Sequence, residues 1–165
     1  MTAVVSPLKK PHQGDWLRAI RVYLLFVFLA NLAWEILQLP LYTIFWNKSA
    51  AEIAFAIVHC TAGDVLIATS CLVTVLIIFG NRCWPTKGFW RVAALTVSLG
   101  FLYTVFSEWL NLVVRESWAY SEYMPVVPLV NVGLSPLLQW IVIPLAGLRW
   151  IESIYATDRN SRSQV

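Results

Sequence analysis

Charge is what this chain has least of. Its 165 residues carry 12 Lys and Arg and 9 Asp and Glu, 13% charged against 59% hydrophobic, with a mean hydropathy of +0.67. A water-soluble domain needs more polar surface than that, so a soluble globular fold is excluded. Cysteine is scarce as well: Cys60, Cys71 and Cys83 form no C-x-x-C pair and two of them fall inside an apolar stretch, which argues against a disulfide framework. The chain has no G-x-S-x-G, no H-E-x-x-H, no P-loop, no nucleotide-binding glycine pattern and no lysine within an apolar stretch. Nucleophilic and nucleotide chemistry therefore lack support. Basic residues do not cluster with aromatics into a stripe, so no nucleic-acid partner is expected.

What the chain does have is apolar length. Four stretches, 22–46, 53–79, 92–114 and 130–150, each reach the about 20 residues that a spanning helix needs. In lipid the backbone must satisfy its own hydrogen bonds, and no short alternating segments suggest a barrel. The expected fold is all-α, a polytopic membrane protein built as a four-transmembrane-helix bundle. Residues 16–155 form the transmembrane domain, between a disordered polar tail over 1–15 and a charged C-terminal tail over 156–165. The basic run before the first stretch resembles a signal peptide, but the apolar run is too long and lacks a small-residue cleavage site after it, so it is read as the first helix.

The few charges are distributed unevenly. Lys9, Lys10, Arg18, Arg21, Arg82, Lys87, Arg91, Arg149, Arg159 and Arg162 fall on one side of this topology, and only Lys48 and Arg115 on the other. The positive-inside rule then predicts a multi-pass protein of the cell inner membrane with both termini cytoplasmic. Pro40 is expected to kink the first helix near its outer end, freeing carbonyls that need new partners. Residues 116–129, ESWAYSEYMPVVPL, are too polar to span and too aromatic for free solution, and read as a cap on the outer interface. Trp16, Trp84, Trp90 and Trp150 fit an inner aromatic belt and Trp46, Trp109 and Trp118 an outer one, leaving Trp34 and Trp140 deep enough to line a pocket.

Polar groups inside the spans carry the functional reading. Asn31, Glu35 and Gln38 stand at i, i+4 and i+7, one face of a helix. A rise of 1.5 Å per residue puts Glu35 about 16 Å below the outer helix end, His59 about 10 Å, Asp64 about 18 Å, Glu108 about 9 Å and Gln139 about 13 Å. Asn111 and Ser135 share that band, and Asn131, Ser135 and Gln139 fall on one face of the fourth helix. One polar cavity in the outer half of the bundle is expected. Acids at such depth must be protonated, paired or hydrated, and they mark function more often than structure. The amides Asn31, Gln38, Asn111 and Gln139 fit either substrate binding or interhelical hydrogen bonding. Arg115 or Asn111 is expected to hold Glu108.

Glu35, Asp64, His59 and Glu108 are the candidate catalytic groups, with Asn31, Trp34, Gln38, Asn111, Gln139 and Trp140 as candidate substrate contacts. A metal centre fits poorly, because no Glu-x-x-His pair is present and His59 and Asp64 lie about 140° apart on a helix. Neither metal nor cofactor is expected. Acid and base chemistry on a lipid or isoprenoid fits best: a protonated carboxyl attacks an alkene or epoxide, aromatic faces stabilise the cation, and a second group removes a proton. The alternative is a non-catalytic protein that binds a metal, quinone or lipid, or a subunit of a larger membrane complex. A transport pathway through four helices would require an oligomer, so a homo-oligomer stays open.

Asn31-Leu32-Ala33-Trp34-Glu35 resembles the N-x-A-W-E motif of a family of integral-membrane terpene cyclases. In that family the motif's glutamate is regarded as the proton donor, which the resemblance assigns to Glu35, within a cyclase or isomerase type of reaction. The likeness covers five of 165 residues, and those cyclases are longer, with more membrane helices.

Overall fold

The computed structural model describes residues 14–162, with side chains over 16–157. Most of the expected N-terminal tail, with Lys9 and Lys10, and the end of the C-terminal tail lie outside the described residues. Four long helices make the bundle: α1 Gly14–Gln38, α3 Ala50–Phe79, α4 Phe89–Trp109 and α5 Leu134–Arg162, with a short α2, Thr43–Asn47, between the first two. All four are long and apolar enough to cross a membrane, over Trp16–Leu41, Ala50–Phe79, Phe89–Val114 and Leu134–Thr157. Consecutive long helices run antiparallel, and α1 packs against both α3 and α5 to close the ring.

The helix ends follow local chemistry. The first helix stops at Gln38 instead of continuing with a kink, because Pro40 removes a donor, and residues Leu39–Leu41 form one 3-10 turn. The carbonyls of the turn itself find partners beyond the helix: Pro40 O accepts from Ser121 Oγ (2.8 Å) and Trp46 Nε1 (3.1 Å), and Leu41 O from Ser121 N (2.9 Å). Ser49 caps α3 reciprocally, accepting from Glu52 N while its own N–H donates to the Glu52 carboxylate (3.0 Å). Gly88, at φ +73°, supplies the left-handed residue that starts α4. The far end of α4 runs into a π turn, Leu110–Val114.

The cap is not helical. Pro125 and Pro128 break the pattern, and a two-residue hairpin forms instead, β1 Val126–Val127 against β2 Val132–Gly133. Asn131 lies in that hairpin turn at φ +54°, exposed, and not on the polar face of the fourth helix where periodicity put it. Tyr42 and Tyr120 bridge the two crossovers at this end, and Thr43 N donates to Ala119 O (3.0 Å).

The apolar core fills the opposite half of the bundle, around Tyr23, Val27, Leu72, Val92, Leu148 and Ile151. Trp84, read from sequence as an interfacial residue, is 1% exposed and packs edge-on beneath Trp16, with ring centroids 6.1 Å apart. The 80–88 loop folds back onto the helix ends, so its tryptophan completes the core. Large side chains on the bundle's outside stay uncovered, Leu37 and Ile77 at 79% and 77% exposure. All three cysteines are free.

Candidate functional site

Three helices contribute polar groups to one layer, and Gln139 of α5 is its hub. Its Nε2 lies 2.8 Å from Asn31 Oδ1, 3.1 Å from Glu35 Oε1 and 3.0 Å from Asp64 Oδ2. A carboxamide has two N–H hydrogens, so these three acceptors compete for two donors. Gln38 Nε2 supplies Glu35 Oε1 from above (2.7 Å) and reaches Gln139 Oε1 (3.3 Å). Ser135 Oγ donates to Gln38 Oε1 (2.8 Å) and accepts from Trp34 Nε1 (3.1 Å), while Asn31 Nδ2 turns back to Val27 O (2.8 Å). Glu35 and Asp64, from two different helices, thus converge on one amide nitrogen.

This layer floors a cavity of about 870 Å³. Glu35, Gln38, Asp64, Gln139 and Trp140 face it from below; Leu39, Ile57 and Ile67 give it apolar walls; Thr104, Ser107 and Glu108 line it on α4 and Asn111 on the π turn that follows. It extends to Glu52, Phe55, His59, Arg115 and Ser117 at the cap end of the bundle. Trp140 reaches the cavity because α4 has no side chain at Gly100, where an added Cβ would lie 2.5 Å from Trp140 Cε3. Small residues allow such close helix approach.

Glu108 is buried, 7% exposed, and held by a residue the sequence did not single out. Tyr120 Oη donates to Glu108 Oε2 (2.5 Å) and accepts from Gly133 N (2.8 Å), tying α4 to the cap hairpin. Burial, then the Glu108 hydrogen bond, pushes the Tyr120 phenol above its ordinary range. Burial beside Glu108 and Tyr120 pushes Tyr42 up as well, so both hydroxyls stay protonated at neutral pH. Arg115 and Asn111 do not take the role expected of them. The π turn between Glu108 and Arg115 breaks the helical repeat that would have aligned the two, and Asn111 Nδ2 donates to Ser107 O (2.8 Å).

The expected site residues therefore divide. Glu35, Asp64, Glu108, Gln38, Asn111, Gln139 and Trp140 meet around one cavity. Asn31 and Trp34 bond into the layer without lining it, and Trp118, read as interfacial, lines it instead. His59 stands exposed at the rim, its ring stacked on Phe55 at 5.6 Å and 14°, with no hydrogen bond to the acids. The signal for Tyr42, Trp118 and Tyr120 was aromatic density beside the proline-bearing crossovers. Among the described residues no three His, Cys, Asp or Glu side chains are grouped so as to hold a metal ion. Compared with protein-family models, curated proteins and solved structures, the chain shows no match.

Proposed function

We propose that this chain is an integral inner-membrane enzyme, both termini cytoplasmic, that performs acid and base chemistry on a lipid or isoprenoid substrate, as an isomerase or cyclase. The observation that carries the reading is the Glu35 and Asp64 carboxyl pair, brought together on the Gln139 amide at the floor of an apolar-walled cavity. The paired carboxyls hold a transferable proton where water is scarce. Glu35 or Asp64 delivers it to an alkene or epoxide, and the ring faces of Trp140 and Tyr103 stabilise the positive carbon. Loss of a proton from a neighbouring carbon to the vacated carboxylate or to Glu108 completes an isomerisation with no net change in protons. His59, at the rim, is suited to exchanging protons with water and not to touching the reacting carbon. The N-x-A-W-E resemblance supports Glu35 as the donor.

Orientation follows the charges: Arg18, Arg21, Arg82, Lys87, Arg91 and Arg149 belong to the 80–88 loop end of the bundle and Lys48 and Arg115 to the cap end. The cap then faces the outer interface.

The test is lipid profiling of cells lacking the protein, complemented with wild type, Glu35→Gln or Asp64→Asn. Each amide keeps the shape and removes the exchangeable proton. A lipid change restored by wild type and by neither folded variant supports the reading; full rescue by both variants refutes it. The exposed rim, with Phe55 71% accessible, favours the second reading, a lipid- or quinone-binding protein or complex subunit, which full rescue by both variants would favour.

A further inference from the structure

We infer that the cavity selects an amphiphile with a cationic nitrogen at its head, a long-chain amine, over neutral, carboxylate or phosphate-bearing lipids of the same length. The inference rests on the proposal that the cavity receives a lipophile, and it names the class.

The hydrogen-bond ledger of the floor is the first ground. Of the four carboxyl oxygens, Gln38 and Gln139 donate only to Glu35 Oε1 and Asp64 Oδ2, so Glu35 Oε2 and Asp64 Oδ1 receive no amide donor. Each amide nitrogen of the floor already has an acceptor: Gln38 on Glu35, Gln139 on Asn31 and both acids, Asn31 on Val27 O. Asn111 Nδ2 on the wall is spent on Ser107 and Tyr120 Oη on Glu108. The floor thus has acceptors to spare and few free donors, the buried Trp118 Nε1 near the cap being an unpartnered donor of the lining. An ammonium is all donor and no acceptor, whereas a phosphate or carboxylate would bring more acceptors.

Charge is the second, independent ground. Four carboxyl groups line the cavity, Glu35, Asp64, Glu108 and, at its cap end, Glu52, and no Lys or Arg reaches the floor among the described residues. Arg115 lies at the rim, and Lys48 is committed to Glu52 at 3.3 Å. No Lys or Arg stands beside Glu35 or Asp64 among the described residues, and an ionised carboxylate buried without a countercharge is costly. An ammonium placed against it supplies the missing countercharge, and the rings of Tyr42, Tyr103, Trp118 and Trp140 around the cavity accept a cation on their faces. An alcohol offers one donor and no charge.

The experiment uses the full chain in zwitterionic detergent and measures thermal stabilisation as a function of added dodecylamine, dodecanol, laurate and farnesyl diphosphate. The expected result is half-maximal stabilisation at a concentration of amine at least about tenfold below that of the alcohol, with no stabilisation by laurate or the diphosphate. In Asp64→Asn and Glu35→Gln the amine advantage falls to that of the alcohol; Leu37→Ala, on the uncovered outer face of α1, retains it. Equal or weaker stabilisation by the amine, binding of either anion, or an amine effect unchanged in both acid variants overturns the inference. Its failure is separable from failure of the enzyme reading: an amine preference with an unaltered lipid profile leaves the site's class standing without catalysis, and a rescued profile with an anion-binding cavity does the reverse.

Discussion

Replacing Gln139 with leucine, a side chain of similar size without polar atoms, tests whether the buried layer holds the bundle together. The amide lies within hydrogen-bond distance of Asn31, Glu35 and Asp64 but has only two N–H hydrogens, so two bonds are lost, together with the acceptor facing Gln38. Interhelical hydrogen bonds in membrane proteins contribute about 0.6 kcal/mol on average and about 1.7 at most, which sets the loss at roughly 1 to 3 kcal/mol. Leaving the carboxyl pair short of donors pushes the value toward the upper end. For a chain of this size 1 kcal/mol corresponds to about 2–4 °C in Tm, so Gln139→Leu should unfold roughly 3–10 °C below wild type. The assay is thermal unfolding in one detergent, with Leu138→Ala, on the outward side of the same helix, as the comparison. A Gln139→Leu protein within 1 °C of wild type, by about that scale, would show that the layer adds nothing to stability and that its geometry serves another purpose.

Cysteines introduced at Ser117 and Asn81 should label from opposite faces of a sealed vesicle; labelling of both from one face would end the four-span topology and the orientation argument with it. Tyr120→Phe removes the donor to Glu108 and the acceptor for Gly133 N, and should lower stability by about 1–3 kcal/mol while exposing the cap to proteolysis. Because folding raises that phenol above its ordinary value near 10, the unfolded chain loses the proton first, so stability is intact below pH 10 and falls as pH rises beyond it; the variant should show a smaller alkaline loss, and an unchanged one would contradict the burial argument. Gly100→Leu should destabilise by about 1–3 kcal/mol or more by driving Trp140 from the cavity wall, seen as altered tryptophan fluorescence, whereas a silent substitution would mean the helices have room to part.

Much of the bundle was legible in the sequence because its determinants are local. Apolar length makes the four helices, charge asymmetry suggests which ends go together, and helical periodicity aligns Asn31, Glu35 and Gln38 whatever surrounds them. Depth also transferred, since the rise per residue brings Asp64 and Gln139 to the level of Glu35. Depth says nothing about azimuth, however, and azimuth decides which acid meets which partner. His59 and Asp64 belong to one helix at neighbouring depths, yet packing of α1 and α4 against α3 turns Asp64 into the layer and leaves His59 at the rim. Nor could any local rule pair Glu108 with Tyr120: a π turn takes Arg115 out of register, and the proline-bearing crossovers carry a tyrosine over α4 to replace it. The sequence by itself determined the helices and the level of the acids along them. Only the tertiary structure decided that Gln139 is the hub, that two carboxyls converge on its amide, and that an open volume rather than a packed core lies above them, because those depend on the rotation of each helix against its neighbours.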